Sequence, residues 1–402
     1  MNTLSDRLLS LSPSATFAMS AKSAELRSQG IDVINMSVGE PDFNTPDPIK
    51  DAAIQAIHDN VTRYSPVPGY ANLRNAICAK LRNENGLEYD PSQIVVSNGA
   101  KQSITNAILA LVNPGDEVII PAPYWVSYPQ MVKLAGGTPV FIDARIEDDF
   151  KITAPQLEAA ITPATRLLIL CSPCNPTGSI YSAEELKSLA EVILRHDGML
   201  VISDEIYEHL NYAGRHCTMA AVPGMKERTI LVNGVSKAYA MTGWRIGFIA
   251  APLWIAKGCS LLQGQYSSGP SSISQMAALS AWEGDQTCVE TMRKAFERRR
   301  DLIVRLAKSI PGLKVNVPQG AFYLFPKCSS YFGKTVTDGV WKGRVIADSG
   351  DFAMFILEQG HVATVGGDAF GSPECFRMSY ALSDESIEEA MKRIAEALTL
   401  LV

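Results

Sequence analysis

The stretch Thr229–Ala250, TILVNGVSKAYAMTGWRIGFIA, decides how the rest of the chain is read. It opens with one short apolar run, Thr229–Asn233, and closes with another, Ile246–Ala250, each of strand length. Between them stands Lys237, next to Ser236 and among Ala238, Tyr239, Ala240 and Met241. A lysine among such neighbours loses hydration. Its pKa falls, and the neutral amine is a nucleophile for a carbonyl carbon. Further on, Arg245 offers a planar fork suited to a phosphate.

Outward from this stretch the same pattern repeats. Strands are expected at Gln93–Ser97, Glu117–Ile120, Val140–Asp143, Arg166–Cys171 and Met199–Asp204. Amphipathic stretches lie between them at Ile104–Leu111, Pro155–Ile161 and Ala183–Arg195. Short continuous apolar strands alternating with helices predict an α/β fold with a mostly parallel central sheet and helices on both faces. Ligands of such sheets bind beyond the strands' carboxyl ends. After Gly284 the pattern changes. Asp285–Ile310 reads as one long helix, and a smaller α+β domain follows, with strands at Gly320–Pro326 and Phe376–Ala381 and helices at Phe352–Gln359 and Asp384–Leu400. The expected division is 46–295 as the large domain, with 1–45 and 296–402 forming the N-terminal arm and small domain. The arm is expected to lie away from its own core, on a partner subunit.

The bulk numbers narrow the function. The chain has 402 residues, net charge −6 and 19% charged residues, so no basic nucleic-acid footprint is present. Met1–Thr16 is polar and broken by Ser and Pro, which predicts no secretory leader, and no apolar run suits a membrane span. A cytoplasmic protein is expected. The eight cysteines show no framework spacing. Cys171 and Cys174 form a lone C-x-x-C with no second pair, which reads as structural thiols; no metal site is expected.

Three more elements fall at strand ends. Ser97-Asn98-Gly99-Ala100-Lys101-Gln102 turns a strand into a helix whose first N–H groups can cradle an anion. Ser172-Pro173-Cys174-Asn175-Pro176-Thr177-Gly178 holds Asn175 between two prolines. Asp204-Glu205-Ile206-Tyr207 closes an apolar strand with an acid, and a buried carboxylate needs a partner. A protonated heterocyclic nitrogen is such a partner. An anion cradle, an acid for a ring nitrogen, a lysine for an aldehyde and an arginine for a phosphate together describe a site for pyridoxal 5'-phosphate (PLP).

Over essentially its whole length the sequence resembles the class I/II aminotransferases of PLP fold type I, in particular the bacterial-type aspartate aminotransferase subgroup. The matching stretches include Pro13-Ser14-Ala15-Thr16, Ser37-Val38-Gly39-Glu40-Pro41-Asp42-Phe43, Tyr64-Ser65-Pro66-Val67-Pro68-Gly69, Pro123-Tyr124-Trp125-Val126-Ser127-Tyr128-Pro129 and Phe376-Arg377-Met378-Ser379-Tyr380-Ala381. The resemblance implies that Lys237 carries PLP as an aldimine and that Asp204 keeps its ring nitrogen protonated. Asn175 and Tyr207 would hold the phenolate oxygen, and Trp125 would stack on the ring. Arg245, Ser236 and the amides around Gly99, Ala100 and Lys101 would bind phosphate. Tyr64 would reach the phosphate of the other subunit, implying a homodimer with shared sites. Arg377 would clamp the substrate α-carboxylate, assisted by the Gly39 amide. Two departures stand out. Gly234 occupies a place where many relatives have a phosphate-binding Ser. Ser12 replaces a Lys that goes with handling prephenate, which argues for plain aspartate.

Lys101 sits at a helix start, where the helix dipole disfavours a cation, so a purpose is expected. The resemblance implies that it reads a distal carboxylate, with Thr16 as second donor. The expected reaction is ping-pong transfer from L-aspartate to 2-oxoglutarate. Alternatives are aromatic, alanine-like or prephenate substrates, Tyr128 and Phe17 being near enough to admit a ring, or a PLP-dependent lyase. A PLP-binding regulator would need a DNA-binding domain for which the chain has no spare residues.

Overall fold

The computed structural model describes residues 4–402. A two-residue strand β1 (Ile34–Asn35) precedes the seven strands of the central sheet: β2 (Ile94–Ser97), β3 (Glu117–Ala122), β4 (Thr138–Asp143), β5 (Thr165–Cys171), β6 (Leu200–Asp204), β7 (Thr229–Gly234) and β8 (Gly247–Ala250). Their order is β2-β8-β7-β6-β5-β3-β4, and only β8 runs antiparallel to its neighbours. Every residue of β2, β6, β7 and β8 is buried. Strands covered on both faces have no polar side to present, which is why they read as unbroken apolar runs.

All seven strands expected for the central sheet are present, with ends shifted by at most two residues. Gln93, for example, belongs to a tight turn, Pro91–Gln93, that leads into β2. Helix Ala183–Arg195 matches its expected bounds and starts at Ser182, whose hydroxyl accepts from the Glu185 amide while the Glu185 carboxylate accepts from the Ser182 amide. Helices Asp47–His58, Leu253–Tyr266 and Ser272–Glu283 had no counterpart in the sequence reading. The last, SISQMAALSAWE, is built of Ala and Ser with little apolar–polar contrast, so its helical period is faint.

The smaller α+β part holds β9 (Tyr323–Leu324), β10 (Val362–Ala363), β11 (Val365–Gly366) and β12 (Phe376–Ser379). β12 lies between β11 and β9, and β1 pairs with β10, so the N-terminal segment joins this part. Helix Thr287–Lys308 runs unbroken through residues 295 and 296. Its Val289 joins the core around Leu73 and Phe248, whereas Met292, Phe296 and Ile303 join the core around Phe322 and Phe352. One rigid helix thus spans the expected division. In the N-terminal arm, the helix Asp6–Leu9 has no buried residue and contacts helix Tyr128–Leu134, and the Ser12 amide donates to Gln130 Oε1 at 3.0 Å. Only residues 1–3 of that arm lie outside the described residues.

Candidate active site

Because β2, β5, β6 and β7 run in one direction, they end at one edge of the sheet, and the antiparallel β8 begins there. Ser97, Cys171, Asp204 and Gly234 are the last residues of those four strands. Arg245 precedes β8 and Lys237 follows β7, so residues far apart in sequence converge. A cavity of about 500 Å³ opens there. Its wall includes Thr16, Gly39, Ala100, Lys101, Trp125, Asn175, Asp204, Tyr207, Ser236, Lys237, Arg245 and Arg377. Of the sequence-predicted residues, Gly99 lies just beneath the wall, against Arg245. Tyr64 stands outside the cavity, 98% exposed.

Asp204 is buried on all sides. Its Oδ2 accepts from Tyr128 Oη at 2.6 Å and its Oδ1 from the Ile206 amide at 3.3 Å. No cation pairs with it among the described residues, and burial pushes its pKa up to about 6 against the pull of those hydrogen bonds. The carboxylate is therefore short of positive charge. Next to it, Glu205 is already satisfied, with Ser203 Oγ at 2.8 Å, Thr218 Oγ1 at 2.6 Å and His216 Nε2 at 2.8 Å.

Lys237 Nζ donates to the Gly39 carbonyl at 2.7 Å. Burial lowers its pKa to about 8, with the nearby arginines Arg245 and Arg377 adding to the shift and Glu40 opposing it. Arg245 adopts φ 60°, and its guanidinium donates to the carbonyls of Thr242 at 2.9 Å and Asn98 at 3.2 Å. It lies close beneath the start of helix Ala100–Leu111, where a Cβ on Gly99 would come within 2.3 Å of Arg245 Nη2. The Ala100 and Lys101 amides have no acceptor among the described residues. Two N–H groups without acceptors and a guanidinium thus border one cavity, a cradle for a dianion.

Arg377 is 2% exposed. Nη1 donates to Asn175 Oδ1 at 2.9 Å and Nη2 to the Ser37 carbonyl at 2.5 Å, while Nε is buried with no partner among the described residues. Its guanidinium lies 4.7 Å above the Tyr323 ring and 4.8 Å from that of Phe370. An unpaired buried guanidinium N–H is costly, and a carboxylate is the group that would satisfy it. Lys101 Nζ lies 4.9 Å over the Trp125 ring, and partial burial lowers its pKa.

The sequence offers no cue to two contacts here. Tyr323 Oη is 2.7 Å from Tyr207 Oη, and a Cβ on Gly39 would come within 2.1 Å of it. In sequence it is only one aromatic in the apolar run Gly320–Pro326, with no local cue. Tyr128 was read as a possible ring contact. Its hydroxyl is instead committed to Asp204, and its ring is buried edge-on to Trp125. At Gly234 a Cβ would come within 2.7 Å of the Ile246 carbonyl and 2.8 Å of Gly247 Cα, so the position has no room for serine. Ser236 does face the cavity.

Residues 31–394 match the family described as aminotransferase class I and II. The chain is 49% identical over 403 residues to the bifunctional aspartate aminotransferase and glutamate/aspartate-prephenate aminotransferase of Petunia hybrida, covering 99% of this chain and 83% of that one. The crystal structure of the aspartate aminotransferase from Rhizobium meliloti superposes with a TM-score of 0.96 at 44% identity, with all of both chains covered. That of the Thermus thermophilus aspartate aminotransferase with maleate gives 0.92 at 40% identity, over 99% of this chain and 100% of that one. The family match spans most of the chain, and the fold agrees with both solved structures throughout: this chain belongs to the class I and II aminotransferases.

Proposed function

We propose that the protein holds PLP in this cavity and moves the amino group of L-aspartate to 2-oxoglutarate, giving oxaloacetate and L-glutamate in two half-reactions at one site. Bound there, PLP supplies an aldehyde for amines and an aromatic electron sink. The fit rests on three unmet demands: a buried Asp204 without a cation, free Ala100 and Lys101 amides beside Arg245, and a depressed Lys237 amine. Asp204 would hold a proton on the ring nitrogen, its charge kept by Tyr128 Oη. Tyr207 and Asn175 would face the phenolate oxygen, and Trp125 the ring. Ser236 would assist at the phosphate. Arg377 would bind the substrate α-carboxylate through its orphaned Nε edge, helped by Gly39, and Lys237 would carry the proton removed from the substrate Cα.

Specificity for a dicarboxylate rests on one observation. Lys101 faces the same cavity as Arg377, and no carboxylate pairs with it among the described residues. Thr16 would donate beside it. Replacing Lys101 with Ala should lower kcat/KM for aspartate by about 30- to 150-fold, the cost of a charge-assisted hydrogen bond of roughly 2–3 kcal/mol, and leave alanine nearly untouched. Equal losses for both donors would remove Lys101 from this role. A second reading, amino transfer to prephenate as well, is supported by the name of the Petunia relative. It is tested by assaying prephenate with glutamate or aspartate as donor.

The same reading treats 46–295 as the cofactor domain and 1–45 with 296–402 as the part that closes on substrate. It also takes the homodimer as the working unit, with Tyr64 completing the partner's phosphate site. Among the described residues no helix is long and apolar enough to cross a membrane. The free cysteines support a reducing, cytoplasmic setting.

A further inference from the structure

Two thiols stand beside the site without a part in the proposed reaction. Cys171 ends β5, and Cys174 lies in the loop that carries Asn175. Cys171 reaches the wall of the main cavity, and both thiols line a smaller recess behind Tyr128. Three residues apart, they meet at the same recess, one at the strand end and one on the loop that follows it. The Cys171 thiol donates to the Pro173 carbonyl at 3.4 Å and the Cys174 thiol to the Pro123 carbonyl at 3.9 Å. C-x-x-C spacing with both thiols on one recess is the arrangement of redox-active dithiols.

We propose that Cys171 and Cys174 form a redox-modification site, which a hydroperoxide converts to an intrachain disulfide that impairs substrate binding. Cys174 is the attacking sulfur because it is partly exposed, whereas Cys171 is buried. The neighbouring Cys171 also holds the Cys174 pKa below the usual thiol value, while that of Cys171 is pushed well above it. The Cys174 thiolate attacks one peroxide oxygen. The O–O bond breaks, the other oxygen leaves as water (an alcohol, from an organic hydroperoxide), and Cys174 becomes a sulfenic acid. Cys171 sulfur then attacks Cys174 sulfur, the S–O bond breaks, and a second water leaves with the Cys171 proton. The two sulfurs give up two electrons, and the hydroperoxide takes them.

The consequence follows from position. Cys171 pairs with Asp204 across the sheet, and Cys174 directly precedes Asn175, whose Oδ1 holds Arg377. Drawing the sulfurs to a bond length of about 2.0 Å displaces the Asn175 loop and unseats the guanidinium. This effect on substrate rests on the proposed role of Arg377; the disulfide itself does not.

The test is to treat the holoenzyme with equimolar hydrogen peroxide, block free thiols with iodoacetamide, and weigh the tryptic peptide Leu167–Lys187. The proposal expects that peptide to lose two hydrogens and take no alkyl group. It further expects kcat/KM to fall at least tenfold through KM, to return with dithiothreitol, and to stay unchanged in Cys174→Ser or Cys174→Ala. A peptide that still takes two alkyl groups overturns the proposal, as does equal inactivation of the Cys174 variants or a disulfide with no kinetic effect. If the untreated enzyme fails to transaminate aspartate, the functional reading falls, and the peptide mass still decides whether the dithiol is a modification site.

Discussion

Lys237 combines reactivity and cost in one group. Burial lowers its pKa from 10.5 to about 8. Between those values the unfolded chain binds the proton that the folded chain has lost, so stability rises with pH there; below about 8 the penalty is complete. Cofactor-free Lys237→Met should therefore be more stable than wild type at pH 7, by on the order of 3 kcal/mol, and the gain should fade as pH approaches 10.5. Denaturant midpoints at several pH values measure this; a gain that does not change with pH would assign the effect to packing. Tyr128 acts on a neighbouring charge. Its hydroxyl lowers the pKa of Asp204 against burial. Tyr128→Phe should raise the acid limb of the kcat/KM profile and weaken PLP binding about tenfold or more, a hydrogen bond to a charge contributing about 1.5–3 kcal/mol. An unchanged profile and cofactor affinity would mean that the Asp204 charge does not depend on this hydroxyl.

Among the elements, the contact of β8 with the start of helix Ala100–Leu111 forms the anion cradle. A Cβ on Gly247 would come 2.3 Å from the Ala100 nitrogen and 2.6 Å from the Gly99 carbonyl carbon. Both neighbours are backbone and cannot rotate away. Gly247→Ala should cost about 1–3 kcal/mol of stability and open the cradle, weakening PLP binding more than tenfold. A thermal melt and a cofactor titration separate the two effects, and an intact PLP affinity at lowered stability would show that the cradle tolerates the shift. The strands themselves were legible because their burial demands unbroken apolar runs. The helices Leu253–Tyr266 and Ser272–Glu283 were not: the first carries Leu253, Trp254, Leu261 and Tyr266 on its exposed side, the second is half Ala and Ser, and neither has a polar face of the usual width.

At the scale of the whole molecule, Tyr64 is 98% exposed and outside the wall of its own cavity, and Leu8, Leu9, Phe17, Leu261 and Tyr266 are exposed apolar residues. A homodimer that covers such surface and lends Tyr64 to its partner should sediment at twice the chain mass. Dilution below its dissociation constant should release PLP, and Tyr64→Phe should lower cofactor affinity about tenfold, as expected for a lost hydrogen bond to phosphate. A fully active single chain would rule out shared sites.

By itself the sequence determined the alternation of strands and helices and the residues with the chemistry for PLP. These are local matters: a buried strand must be apolar along its length, and Lys237, Asp204 and Arg245 each stand at the end of one. Tertiary structure alone decided what those groups touch. Only the folded sheet brings Tyr128 to Asp204, seats Tyr323 between Tyr207 and Gly39, leaves Arg377 Nε without a partner among the described residues, and puts the Cys171 and Cys174 thiols on one recess behind the site. Such contacts join residues from separate strands and loops, and their energies depend on burial and distance, which chain order does not encode.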